Sequence, residues 1–199
     1  MNWKTLHEYW FGKPMVKTPQ ELNQKEALWF GKNQTVDHHI QTTFAPWLDE
    51  LGSQTLQAWE DHPSSLVTKV ILMDQVPRNA FRDTPRMYAY DPQALALTLH
   101  GIDRKIDLDM NPIEALFFYL PLEHAEDPMH QTLCVEKHQQ LLDRCDPELR
   151  SSFENHLLYA HKHKEIIDQF GRFPHRNGIL HRKNTPEEIE FLSKPGSSF

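Results

Sequence analysis

A chain of 199 residues is long enough for one ordinary domain or two small ones, and folding at this length buries about 70% of the unfolded surface. Hydrophobic residues make up 39% and charged residues 25%, which excludes disordered and collagen-like classes. A net charge of −7 argues against a general nucleic-acid binder, while 14 Pro, 7 Gly and 13 His are counts that the chain has to explain.

The first residues, Met1 to Glu8, carry no apolar run of the kind a secretory signal needs. Helices are expected near 2–10, 19–30, 34–44 and 53–61. Trp10-Phe11-Gly12 and Trp29-Phe30-Gly31 each read as an aromatic pair packed in the core with Gly as the C-cap. Thr18-Pro19-Gln20-Glu21 has a helix-start grammar that recurs in Asn111-Pro112-Ile113-Glu114 and Thr185-Pro186-Glu187-Glu188. The cap side chain accepts an orphan backbone N–H, Pro loses no helical hydrogen bond at the first position, and the acid closes a capping box. Asp91-Pro92 and Asp146-Pro147 look like shorter versions. Each such cap contributes about 1 kcal/mol.

Leu66, Val70 and Met73 set the period of a helix over 63–75, with a buried strand as the alternative for the bursts Leu66-Val67 and Val70-Ile71-Leu72. Pro77 disfavours helix at Val76, so the helix is expected to end or kink there. Further helices are expected over 92–104, 112–120 (ending near Pro121), 129–144 and 147–170, with Gly171 as a C-cap. On the last of these, His156 and His163 share a face, and Lys164 either snorkels or meets an acid. The tail 194–199 is expected to be non-helical. No strand alternation and no internal repeat is evident, so the expectation is one all-α domain over 1–199.

Cys134 and Cys145 are too few for a disulfide scaffold and lack zinc-ligand spacing, so they read as small core or boundary residues. The apolar stretch 115–122 is far shorter than the roughly 18 residues that span a bilayer. The expectations are therefore a cytoplasmic protein, no membrane partner and no assigned metal.

Three polar segments concentrate the chemistry. In the first, Asp74, Gln75, Arg78, Asn79 and Arg82 follow an apolar run. If Arg78 and Arg82 lie one turn apart, about 6 Å, they repel by roughly 3 kcal/mol at an effective dielectric of 20. They need a carboxylate such as Asp74, solvent or a bound anion. In the second, Glu123-His124-Ala125-Glu126-Asp127 follows Pro121. His124 and Glu126 suit a general base and its orienter, or a metal pair, although their spacing of two is unusual for helix-borne ligands. In the third, residues 172–183 carry four Arg/Lys, two His and no acid, within a chain of net charge −7. Such a loop suits a carboxylate or phosphate, or pairs with helix C-termini and acids from elsewhere.

These segments also carry a family resemblance. Asp74-Gln75-x-Pro77-Arg78-Asn79-x-x-Arg82, Tyr119-Leu120-Pro121-x-x-His124-x-Glu126 and the run from His163-Lys164-Glu165 through Phe170-Gly171-Arg172-Phe173-Pro174-His175-Arg176-Asn177 resemble signature blocks of a mostly bacterial family catalogued as domain of unknown function 924. The likeness runs from Tyr9 to Phe199. It implies an all-α, tetratricopeptide-like array of antiparallel helix hairpins with about 8–10 helices, and brings no activity. This chain departs from the family in having Ala125 where Ser is usual and His181 where Gly is common. Ala125 disfavours a Ser-based mechanism.

Three functional readings stay open, and whether the protein is an enzyme stays open with them. In the first, Asp74, Gln75, Arg78, Asn79, Arg82, His163, Arg172, Arg176 and Asn177 bind an anionic small molecule, and His124, Glu126 and His175 handle protons. The second is a protein-interaction module, with a protein partner anchored by Trp10, Trp29, Trp47 and Trp59 along a groove. In the third the polar blocks form a purely structural network. No Gly-rich phosphate loop follows a strand, so no nicotinamide, flavin or nucleotide cofactor is indicated and the cofactor is unknown. The charge argues against DNA as a partner; the basic segment leaves a short RNA contact open.

Overall fold

The capping grammar holds where it is complete. In the computed structural model, which describes residues 1–197, α1 spans Trp3–Phe11, α2 Pro19–Trp29 and α3 Gln34–Thr43. A one-turn α4 (Gln54–Gln57) leads to α5 (Pro63–Ala80), α6 (Asp91–Asp103), α7 (Pro112–Glu123), α8 (Pro128–Arg144), α9 (Arg150–Phe170) and α10 (Pro186–Leu192). Among the described residues these ten α-helices and short 3-10 turns make an all-α fold with no strand. Capping boxes close at Thr18–Glu21, Asn111–Glu114 and Thr185–Glu188. Asp127 caps α8 in addition, accepting from the backbone N–H groups of Met129 and His130.

Helix α5 is the hub. Every residue from Ser65 to Pro77 is buried, so the helix is enclosed on all sides, packing on α1, α3, α6 and α7. Helix α7 is buried over Ile113–Glu123 and forms the second interior rod. Connections of four and five residues join α7 to α8 and α8 to α9, so these helices pack as antiparallel hairpins. A smaller apolar cluster of Ile166, Ile167 and Phe173, flanked by Phe170 and Phe191, seats α10. No helix among the described residues is long and apolar enough to cross a membrane.

The structure corrects several expectations. Helix α5 does not end at Pro77; it continues to Ala80, closed by Phe81 N–H donating to the Pro77 carbonyl. An interior Pro costs about 3 kcal/mol. Burial of Val76 and Ala80 and the anchoring of Arg78 offset it. Helix α7 likewise runs through Pro121, which carries Glu123 into the interior. Asp91 is not a cap: Tyr90 is the N-cap of α6, without a side-chain bond, and Asp91 turns to arginines instead. Residues 53–61 form α4 and a 3-10 turn rather than one helix, and Pro147–Leu149 is a 3-10 turn before α9. Phe30, not Gly31, is the C-cap of α2, and Phe30 is 52% exposed rather than core. Trp10, Trp29 and Trp59 are buried and Trp47 is partly buried against the core, so they do not stand exposed together along a groove. Lys164 meets an acid, Asp168, at 2.6 Å. Of the tail, Ser198 and Phe199 lie outside the described residues.

One contact tests the packing of α6 on the hub. A Cβ on Gly101 would meet Phe118 Cζ at 2.6 Å and Leu66 Cδ2 at 3.0 Å. Gly101→Ala should therefore destabilise the fold by about 1–3 kcal/mol in urea unfolding despite the better helix propensity of Ala. An unchanged midpoint would contradict this packing.

Candidate functional site

The C-terminal ends of α2, α5 and α7, the 3-10 turn Pro85–Tyr88, one face of α9 and the loop after it enclose a cavity of about 1050 Å³. Gln75, Arg78, Asn79, Arg82, His124, His163, His175 and Arg176 all line it. Residues from three distant sequence blocks thus meet in one place. Asp74 lies directly behind this wall, fully buried. Glu126, Arg172 and Asn177 are not part of the lining. Trp29, Phe30, Met87, Leu120, Ile166 and Phe191 give the same cavity an apolar portion.

Its charged wall is a shared ion network. Arg78 donates twice to Asp91, at 2.7 and 3.0 Å, and stands 3.5 Å from Asp74. Arg176 lies 3.6 Å from the same Asp91, beyond hydrogen-bond distance. Its guanidinium instead stacks on Phe173 at 4.4 Å and Tyr88 at 4.7 Å. Burial and the neighbouring Arg78 pull Arg176 down to about 10, so it stays cationic at neutral pH. Burial pushes Asp74 up, but Arg78 and His124 outweigh it and hold its carboxyl well below the usual range. Arg82 is separately neutralised by Asp37 of α3 through two 2.8 Å bonds. The sequence left a carboxylate such as Asp74, solvent or a bound anion to balance Arg78 and Arg82; Asp91 and Asp37 carry most of that role.

Three buried atoms of cavity-lining residues have no hydrogen-bond partner among the described residues: Asn79 Nδ2, His175 Nδ1 and Arg176 Nε. A buried polar group left unsatisfied costs about 1–3 kcal/mol. His124 Nδ1 is held 2.8 Å from Asp74 Oδ1, which leaves Nε2 as its free ring nitrogen. Burial pulls His163 down to about 3, His156 to about 4 and His175 to about 4, so these rings are neutral at pH 7.

Sequence reasoning passed over Glu123. Burial, aided by the Asp74 carboxylate, pushes it up to about 8, so it keeps its proton at neutral pH. It stands 3.3 Å from His163 Nδ1 and 3.6 Å from His138 Nε2. The signal was present: an acid directly before His124, at the end of an apolar helix.

The third block divides. Gly171 adopts the left-handed C-cap, φ 67°, and turns the chain so that Phe173 inserts fully into the core. Glu126 accepts from Phe173 N–H at 2.8 Å and holds Arg182 at 2.6 and 2.9 Å. Asn177 bonds Asn184, Glu188 and Arg182, and Arg172 donates twice to Glu188. Two of the segment's four cations, Arg172 and Arg182, are therefore neutralised by Glu188 and Glu126, whose bonds tie the loop down. His175 and Arg176 emerge on the opposite side, into the cavity.

Two outcomes follow. Arg78→Met leaves Asp74 and Asp91 short of a buried cation and should cost about 3–5 kcal/mol in urea unfolding; a loss under about 1 kcal/mol would contradict the network. Glu188, held down to about 2 by its bonds from Arg172, contributes stability above its unfolded range near 4.3, lost as pH falls through about 2. The melting difference between the native chain and Glu188→Gln should therefore be constant above about pH 5 and shrink toward pH 2, and a pH-independent difference would contradict it. The comparisons fit this fold. No curated protein matches the chain. The solved structure of a protein of unknown function from Agrobacterium tumefaciens is similar, with 32% identity, 96% of each chain covered and a TM-score of 0.78. Residues 6–196 match the model of DUF924, described as bacterial protein of unknown function, and the chain belongs to that family.

Proposed function

We propose that the cavity binds a small molecule with an anionic head, a carboxylate or phosphate, and an apolar body. The observation that carries this reading is Arg176. It is 6% exposed, cationic, stacked between two rings and, among the described residues, without a hydrogen bond to its guanidinium. A planar guanidinium with unused donors suits two oxygens of one anion. Asn79 Nδ2 and His175 Nδ1 are further unused groups on the same wall. The volume suits a ligand of drug-like size, and Phe30, Ile166 and Phe191 suit its apolar part. His124, oriented by Asp74, is the residue best placed to exchange a proton with such a ligand.

The structural-network reading accounts for a different set of residues. Glu126, Arg172, Asn177, Arg182 and Glu188 satisfy one another and lie outside the cavity lining. Their role is to hold the loop that presents Arg176. A peptide-binding groove has less support, because the tryptophans that would anchor it are in or against the core.

The test is thermal melting with inorganic phosphate, phenyl phosphate and benzoate. A hundredfold excess over Kd is worth about 2.7 kcal/mol, or about 5–10 °C for a chain of this size. The phenyl-bearing anions should shift the native chain more than phosphate does. Arg176→Met should change the unliganded stability by less than about 1 kcal/mol and abolish the shift. Absence of any shift with the three anions, or destabilisation by Arg176→Met as large as by Arg78→Met, would overturn the reading.

A further inference from the structure

Behind the cavity wall, α7 and α8 bring together a second group of polar side chains. Cys134 and His138 are four residues apart on α8 and so share one face. Glu123, at the end of α7, meets that face. Its Oε2 lies 3.6 Å from His138 Nε2 and 4.0 Å from Cys134 Sγ. One donor atom from each residue falls within 4.8 Å of the others, and all three residues are buried. We propose that Glu123, Cys134 and His138 form a three-ligand Zn2+ site, with a water as the fourth ligand.

Four features support it. First, the ring of His138 is already set as a ligand. Its Nδ1 stands 2.9 Å from the Cys134 carbonyl, which fixes the proton there and leaves the lone pair on Nε2. Zinc-bound histidines are commonly oriented by such a backbone carbonyl. Second, His138 is 1% exposed, and its Nε2 has no hydrogen-bond partner among the described residues. An apolar residue would serve α8 better here unless that atom has work to do.

Third, the donor set is a thiolate, an imidazole and a carboxylate, which zinc accepts in tetrahedral geometry. Zinc bond lengths place such ligand atoms roughly 3.3–3.6 Å apart. The Glu123 Oε2 distances of 3.6 and 4.0 Å need only a few tenths of an ångström of contraction, and Cys134 Sγ, which stands 3.4 Å from His138 Nδ1, has to turn toward Nε2. Fourth, the charges balance. Binding displaces the thiol proton of Cys134 and the carboxyl proton of Glu123 to solvent, and the resulting two anions neutralise the dication in a buried place. Glu123 also lines the large cavity, which gives the ion a route inward. The site shares no ligand with the anion-binding arginines, so either assignment can fail without the other.

The experiment uses the untagged full chain, stripped with EDTA and then loaded with Zn2+ or Co2+. After gel filtration about one equivalent of zinc should remain, and the melting temperature should rise over the stripped protein. With Co2+ a thiolate-to-metal charge-transfer band should appear. Cys134→Ser should lose the band, His138→Gln should lose the retained zinc, and Cys145→Ser and Arg176→Met should keep both. Where a ligand variant fails to fold, the Co2+ spectrum of the native chain decides. No charge-transfer band in the native chain, no retained zinc, or equal retention by folded Cys134→Ser and His138→Gln overturns the assignment.

Discussion

Two arginines face a buried carboxylate, Asp74, and a partly buried one, Asp91, at the C-terminal end of α5, and much of the molecule's arrangement hangs on that imbalance of geometry. Arg78 takes both oxygens of Asp91 and stands against Asp74. Arg176 approaches the same Asp91 but is left at 3.6 Å. Charges withdrawn from water cost several kcal/mol each unless paired and hydrogen-bonded, so Arg78 cannot be removed lightly. Through it the end of α5 is bound to the start of α6, and through Asp74 to His124 at the end of α7. The continuation of α5 past Pro77 is part of the same constraint, because a helix ending at Val76 would not carry Arg78 to Asp91.

The cavity wall and the bonded loop are two products of one segment. From Gly171 onward the chain alternates its loyalties. Arg172, Asn177 and Arg182 turn to Glu126 and Glu188 and lock the loop and α10 in place. His175 and Arg176 point the other way, onto the cavity wall, with Phe173 as the pivot between them. The closed bonds on one side fix the geometry that leaves unused donors on the other. Preorganisation of this kind lowers the ordering cost of binding.

Much of this was legible in the sequence, for identifiable reasons. Helix starts follow local rules, so Thr18, Asn111 and Thr185 could be read as caps from their neighbours alone. Polar blocks interrupting apolar periodicity pointed to Arg78, His124 and Arg176, and these residues do meet. What escaped depends on tertiary partners. Asp91 has the local form of a cap, but two arginines outbid the backbone for its carboxylate. Local rules end helices at Pro77 and Pro121, and burial on all sides carries both helices through. Glu123 looked like one acid in an acidic loop. Only the run of α7 through Pro121 turns it inward, where burial changes its protonation. The excess of basic residues over 172–183 was real, but its neutralising acids come from about 50 residues away and from α10.

The central claim is that Arg176, paired loosely with Asp91 and without a hydrogen bond from its guanidinium among the described residues, is the anchor of a ligand. The most direct measurement follows the side-chain Nε–H resonances of arginine by NMR during titration with phenyl phosphate. The account predicts that the Arg176 Nε–H, buried and without a hydrogen-bond partner among the described residues, shifts on binding, while those of Arg172 and Arg182, already bonded to Glu188 and Asn177, stay in place. An Arg176 resonance that does not move, or equal movement at all three arginines, would contradict it.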